Sequence, residues 1–250
     1  MPLGVLWRAV LALAALTAPS IGANGAAHAG AALQISPVLI DLTAPAATAT
    51  VEITDQAPQP APVQVRIFKW TQANGQETLT PTDDVVASPP IATIAPGTKL
   101  SIRVIRTSKA PIVGEEAYRL VIDQLPEPNP NGRAVVAMLL RQVLPVFFAS
   151  PDRGKPQVAW TISKGAKGFV LHARNAGDRR LRIAKITLNA PGRRAVSLGG
   201  GLLGYALGHS DMSWSIADRT ASFPIGGQVA VHGDSDSGAL NATALVTAGE

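Results

Sequence analysis

The chain has 250 residues, enough for two domains of ordinary size, and with 46% apolar and only 16% charged residues it is a globular chain rather than a disordered one. Its net charge of +5 is a mild excess spread along the sequence, without the clustered basic footprint that nucleic-acid binding needs. Cysteine is absent, which excludes disulfide staples, thiolate metal sites and cysteine nucleophiles.

Arg8 opens a weakly positive start, and residues 9–18 form an apolar run too short to span a bilayer, broken by Pro19, Ser20 and Gly22. Ala27-His28-Ala29 fits the small-x-small rule of signal peptidase, so residues 1–29 are expected to be a secretory leader, with cleavage after Ala31 as the alternative. An N-terminal anchor is the competing reading, but Ala-rich segments insert poorly. No later segment approaches 18 uninterrupted apolar residues, so no membrane insertion is expected after leader cleavage.

From Leu33 onward the apolar period is two. Val63, Val65 and Ile67 share one face of a predicted strand, with Gln64, Arg66 and Phe68 on the other, and the turn dipeptide Asn74-Gly75 follows. Ser88-Pro89-Pro90 and Ala95-Pro96-Gly97 interrupt the chain before a second alternating segment, residues 100–105. Residues 118–125 and 134–148 are the next predicted strands. Residues 151–156 are polar, carry two prolines and mark a linker after a first domain over residues 30–150. A second domain over residues 157–250 begins with predicted strands at 158–162, 168–173 and 181–188, turned at Asn175-Ala176-Gly177-Asp178, and ends with one at 239–246. Turn signals recur at the rhythm of an immunoglobulin-like sandwich. The expected fold is all-β, two sandwiches in series.

One predicted strand is apolar on both faces. Val135, Ala137 and Leu139 share one face, Val136, Met138 and Leu140 the other, whereas an antiparallel sandwich leaves one face wet. Either a loop or the second domain covers it, or the outer face inserts into another protein as a borrowed strand. Arg141 follows directly and is placed to hold a carboxylate.

Histidines 172, 209 and 232 are far apart and lack metal-type spacing, so no metal site is expected. Gly199-Gly200-Gly201-Leu202-Leu203-Gly204 lacks the Lys-Ser/Thr of a phosphate loop, and Asp234-Ser235-Asp236-Ser237-Gly238 lacks the glutamate of a calcium loop. Asp83-Asp84 and Glu115-Glu116 point to opposite faces of an extended chain and make no catalytic pair. Arg179, Arg180 and Arg182, and Arg193 with Arg194, are read as solvated strand faces. No enzyme and no cofactor are expected.

The ordered set of segments resembles the periplasmic pilus (fimbrial) chaperones, and their archaic branch most. It runs from Leu33-Gln34-Ile35-Ser36-Pro37-Val38 through Val65-Arg66-Ile67-Phe68-Lys69-Trp70-Thr71-Gln72, Leu79-Thr80-Pro81-Thr82-Asp83-Asp84, Ser88-Pro89-Pro90 and Ile94-Ala95-Pro96-Gly97. It continues with Glu116-Ala117-Tyr118-Arg119-Leu120, Asp123-Gln124-Leu125-Pro126, Leu139-Leu140-Arg141, Leu144-Pro145-Val146-Phe147 and Gly201-Leu202-Leu203-Gly204-Tyr205-Ala206-Leu207 leading to Trp214. The resemblance implies two immunoglobulin-like domains in an L, with the client in the cleft. It implies donor-strand complementation of pilin subunits by Val136, Met138 and Leu140, and delivery to an outer-membrane usher. Conventional members grip the client's terminal carboxylate with two basic residues, one on the first strand. Here that position falls at about Leu39, so Arg141, with Arg119 on the neighbouring strand, is the expected anchor. A secreted immunoglobulin-like subunit of a surface fibre is the competing function; its first domain would be incomplete and preceded by a free donor tail.

Overall fold

The computed structural model describes residues 33–126, 138–165 and 168–249. The predicted leader, Val136 and the rest of residues 134–137 lie outside the described residues. Among the described residues ten strands belong to the first domain: β1 (Leu33–Ser36), β2 (Ile40–Thr43), β3 (Thr48–Asp55), β4 (Ala61–Ala73), β5 (Gln76–Pro81), β6 (Val85–Ser88), β7 (Ile91–Ile94), β8 (Lys99–Arg106), β9 (Glu115–Gln124) and β10 (Arg141–Ala149). One sheet runs β1-β3-β8-β6, the other β2-β10-β9-β4-β5 with β7 also on β4.

The alternation read in the sequence decides what each sheet buries. Val63 and Val65 on β4, Ile102 and Val104 on β8, and Tyr118, Leu120 and Ile122 on β9 meet in one core between the two sheets. The opposite face of β4 carries Gln64, Arg66 and Phe68, then Trp70 and Gln72, and these last two are buried as well. A second layer covers them: the second domain.

That domain has eight strands: β11 (Val158–Gly165), β12 (Gly168–Asn175), β13 (Leu181–Asn189), β14 (Val196–Ser197), β15 (Leu202–Ala206), β16 (Ser210–Ser215), β17 (Gln228–Ser235) and β18 (Gly238–Ala248). They form one hydrogen-bonded sheet that folds over a core including Ile162, Leu171, Ile183, Ile186 and Val231. The fold-over is made in β13, whose first half pairs with β15 and whose second half pairs with β17 and β14. Its register shifts on either side of Ala184, and the next residue, Lys185, has a φ of 51°. Among the described residues there is no helix, and none long and apolar enough to cross a membrane.

Side chains from both domains lock the contact between them. Trp70 and Phe147 of the first pack with Tyr205 and Leu207 of the second. The Gln72 amide donates to the Tyr205 carbonyl at 2.9 Å and accepts from the Leu207 N–H at 2.9 Å, taking the place of a strand partner. The β4–β5 turn uses the positive φ values of Asn74 (54°) and Gly75 (73°), and the Gly75 N–H donates to Asp211 at 2.6 Å. A Cβ at Gly75 would lie 2.3 Å from Ser213 Oγ, so only glycine lets this turn seat on β16.

Arg180 corrects the sequence reading of its block as a solvated face. It is 2% exposed, stacks over Phe147 at 3.7 Å from the ring centroid, and bonds Glu115 at 2.5 Å and Asp41 at 2.7 Å. Its partners are remote in sequence, so nothing local distinguishes it from Arg179 or Arg182. Glu115 and Glu116 do point to opposite faces: Glu115 reaches Arg180, whereas Glu116 bonds Arg106 at 2.8 Å.

Candidate functional site

The site is the part of β10 that no other described strand of its domain covers. On one side β10 pairs with β9 along its whole length, Arg141↔Asp123 to Ala149↔Glu115. The Gln124 N–H donates to the Leu140 carbonyl at 2.9 Å, so even-numbered residues turn their main-chain groups toward β9 and odd-numbered ones turn away. On the far side β2 pairs only from Val146 onward, and the Ala44 N–H bonds the Ala149 carbonyl there. Arg141 and Val143 therefore present N–H and C=O groups to a flank on which no strand pairs among the described residues. Pro145 lies next to where β2 begins, and its missing N–H falls on this same flank.

The side chains upstream are apolar and exposed. Met138 is 76% exposed, Leu139 44%, and Leu140 is half-buried. Parity settles which face each occupies. Leu144, Val146 and Phe148 point into the core, and Leu140 shares their side of the strand. The sequence reading placed Met138 and Leu140 on an outer face. Instead, Leu140 continues the core side, which is sealed at Leu144 and opens toward Met138. The opposite side carries Arg141, Val143, Pro145 and Phe147 and forms the wall that faces the second domain.

Both predicted anchor arginines are on this wall, but they are not brought together. Arg141 stands opposite Asp123, four residues from Arg119, a separation of about 13 Å along the strands. Arg141 is exposed and bonds Asp123, which also takes Arg66 at 2.5 Å. Burial disfavours the Asp123 anion, but its hydrogen bonds from Arg141 and Arg66 outweigh this and hold the carboxyl below its usual range. These residues line an open groove of about 500 Å³ together with Gln64, Leu139 and Leu140.

Arg119 sits where the two domains meet. Its guanidinium lies 3.5 Å from the Trp70 ring centroid and 5.9 Å from that of Tyr205. Its one ion pair among the described residues is with Glu77 on β5, at 3.6 Å. Burial lowers its pKa, and Glu77 acts in the opposite direction. Leu39, the first-strand position lacking a basic residue, is exposed. Glu77 and Trp70 were missed as site residues. Only strand pairing places them there: Gln72 opposes Glu77 and Trp70 opposes Leu79 in the β4–β5 hairpin.

Several of the remaining motif residues are bonded within the second domain. His172 bonds Ser163 at 2.7 Å and Ser213 at 2.9 Å, and burial lowers its pKa. Asp234 pairs with Lys185 and Asp236 with Arg179.

Residues 32–154 match the family described as pili and flagellar-assembly chaperone, PapD N-terminal domain. This segment, just under half of the chain, is similar to that chaperone domain. It contains β10 with its open flank, the wall bearing Arg119 and Arg141, and the core that seals Leu144. Over most of its length the chain shares its fold with solved chaperone structures. It is similar to a chain of the CsuC–CsuE chaperone–tip adhesion subunit pre-assembly complex from archaic chaperone–usher Csu pili of Acinetobacter baumannii: 24% identity, 87% of this chain and 99% of that one covered, TM-score 0.64. The E. coli chaperone DraB is similar over 85% of this chain and 98% of its own, at 16% identity and a TM-score of 0.56. The complex of the Salmonella enterica SafA pilin with the SafB chaperone provides a third match, 84% of this chain and 95% of that one at 14% identity and a TM-score of 0.58. No curated protein sequence matches the chain.

Proposed function

We propose that this protein is a periplasmic, non-enzymatic chaperone that holds pilus subunits by donor-strand complementation and hands them to an outer-membrane usher. The open flank of β10 carries this reading. A strand whose main-chain groups at Arg141 and Val143 pair with no strand among the described residues, continued by exposed Met138 and Leu139, is a template for a client that lacks a strand. Main-chain hydrogen bonds supply affinity, and Val136, Met138 and Leu140 fill the client's groove. Completion of the client's fold drives capture, so no nucleotide or cofactor enters. The family match and the chaperone–subunit complexes that share this fold support the same assignment. The leader over residues 1–29 supplies export.

On this reading the carboxylate anchor is Arg119 rather than Arg141. Arg119 lies in the desolvated junction of the domains, where a guanidinium–carboxylate pair is strongest, whereas Arg141 is exposed and already serves Asp123. Mixed with its pilin, the mature protein should form a 1:1 heterodimer by light scattering; polymers of the chain alone would instead favour a fibre subunit. In the same assay Arg119→Ala should weaken the complex by about tenfold to a hundredfold, and Arg141→Ala by less than about threefold. The reverse order would return the anchor to Arg141.

A further inference from the structure

Glu77 stands in an unusual place for a surface carboxylate. It is on β5, whose six residues are all exposed, yet its register opposite Gln72 aims it at the wall. Its Oε1 lies 3.6 Å from the Arg119 guanidinium and 3.4 Å from Gln72 Nε2. Both contacts are longer than the roughly 2.7–2.9 Å of a good charge-assisted hydrogen bond. Gln72 is committed elsewhere, to Tyr205 and Leu207 at 2.9 Å each. The Glu77 side chain is 36% exposed, whereas that of Arg119 is 14% exposed. One carboxylate thus covers a cation that the Trp70 ring already holds in position, and it has solvent to swing into.

We propose that Glu77 is an internal stand-in for the client's terminal carboxylate, screening Arg119 in the free chaperone and giving way when a client strand ends at the cleft. This rests on the donor-strand reading and on Arg119 as the anchor. It assigns β5 a part in binding: Glu77 sets the threshold a client must exceed, so that strands ending in a free carboxylate are admitted and internal loops are not. A client carboxylate approaching in the guanidinium plane makes two parallel hydrogen bonds, which Glu77 does not make. The displaced side chain regains hydration and rotamer freedom.

Glu77→Gln keeps the shape and removes the charge. The probe is a short alternating Val/Thr peptide, either as the free acid or as the C-terminal amide, titrated calorimetrically into the full mature chain. Against the wild type, Glu77→Gln should bind the acid about threefold to fivefold more tightly, the size expected for removing one half-exposed ion pair, and bind the amide equally. Adding Arg119→Ala should erase the difference between acid and amide. An unchanged or weaker affinity of Glu77→Gln for the acid, or no measurable binding of it, overturns the proposal. Met138→Asp mixed with folded pilin separates the failures: if it captures the pilin normally, the donor-strand reading has failed. If it loses the pilin while Glu77→Gln binds the acid peptide as the wild type does, only the stand-in role is lost.

Discussion

Met138→Asp should abolish client capture while leaving the chaperone folded. Met138 is 76% exposed, so a charge there meets water in the free protein and should change stability by less than about 0.5 kcal/mol. On the donor-strand proposal, the same side chain enters the client's apolar groove in the complex. Losing a buried methionine forfeits about 1.5–3 kcal/mol, and an unpaired carboxylate in that groove costs several more. Together these exceed about 4 kcal/mol, a loss of affinity beyond about a thousandfold. Met138→Leu, of similar volume and polarity, should capture the client within a few-fold of wild type. The pair is read by heterodimer formation with a pilin and by urea unfolding of the chaperone alone. Normal capture by the aspartate variant would mean that this segment is not the donor.

The second large effect belongs to the domain junction. Arg180→Met should destabilise the protein by about 3–5 kcal/mol at neutral pH, because Glu115 is left buried without its guanidinium. Burial already raises the Glu115 pKa in the intact protein, and Arg180 only partly offsets this; removing Arg180 raises it further. The folded variant then holds a proton that the unfolded chain has released. Its stability falls as pH rises from the ordinary carboxylate range through the raised pKa, and the added penalty disappears below that range. Glu115→Gln in the same chain should restore most of the loss and flatten the pH dependence, as urea titrations across pH would read. If the double variant is no more stable than Arg180→Met, the damage lies in the Phe147 stack or the Asp41 contact instead.

Local patterning made much of the first domain legible. Val63, Val65 and Ile67 announced the core face of β4, and Asn74-Gly75 announced its turn, because period and turn chemistry are written in neighbouring residues. Strand β5 was illegible for the same reason. Gln76-Glu77-Thr78-Leu79-Thr80-Pro81 has no buried face to impose a period. Strand β17 (Gln228–Ser235) also escaped, its buried Val229 and Val231 giving too short a run before His232 and Gly233. The doubly apolar segment was visible, but its faces were not: only the β9–β10 register shows that Leu140 continues the core side while Arg141 and Val143 form the wall. Arg180 and Arg119 were beyond any local rule. Arg180 takes its role from Glu115 and Asp41, brought close by the docking of two domains, and Arg119 takes its own from Trp70 on the neighbouring strand and Tyr205 across the junction.

Amide hydrogen exchange at Arg141, Gln142 and Val143 tests most directly whether β10 is held open for a foreign strand. Gln142 turns its N–H to β9 and should be protected with or without a client. Arg141 and Val143 turn theirs to the flank on which no described strand pairs, so both should exchange freely in the monomer and become protected by about a hundredfold or more in the pilin complex. Protection of Arg141 and Val143 in the client-free monomer, or free exchange of both within the complex, would contradict the account.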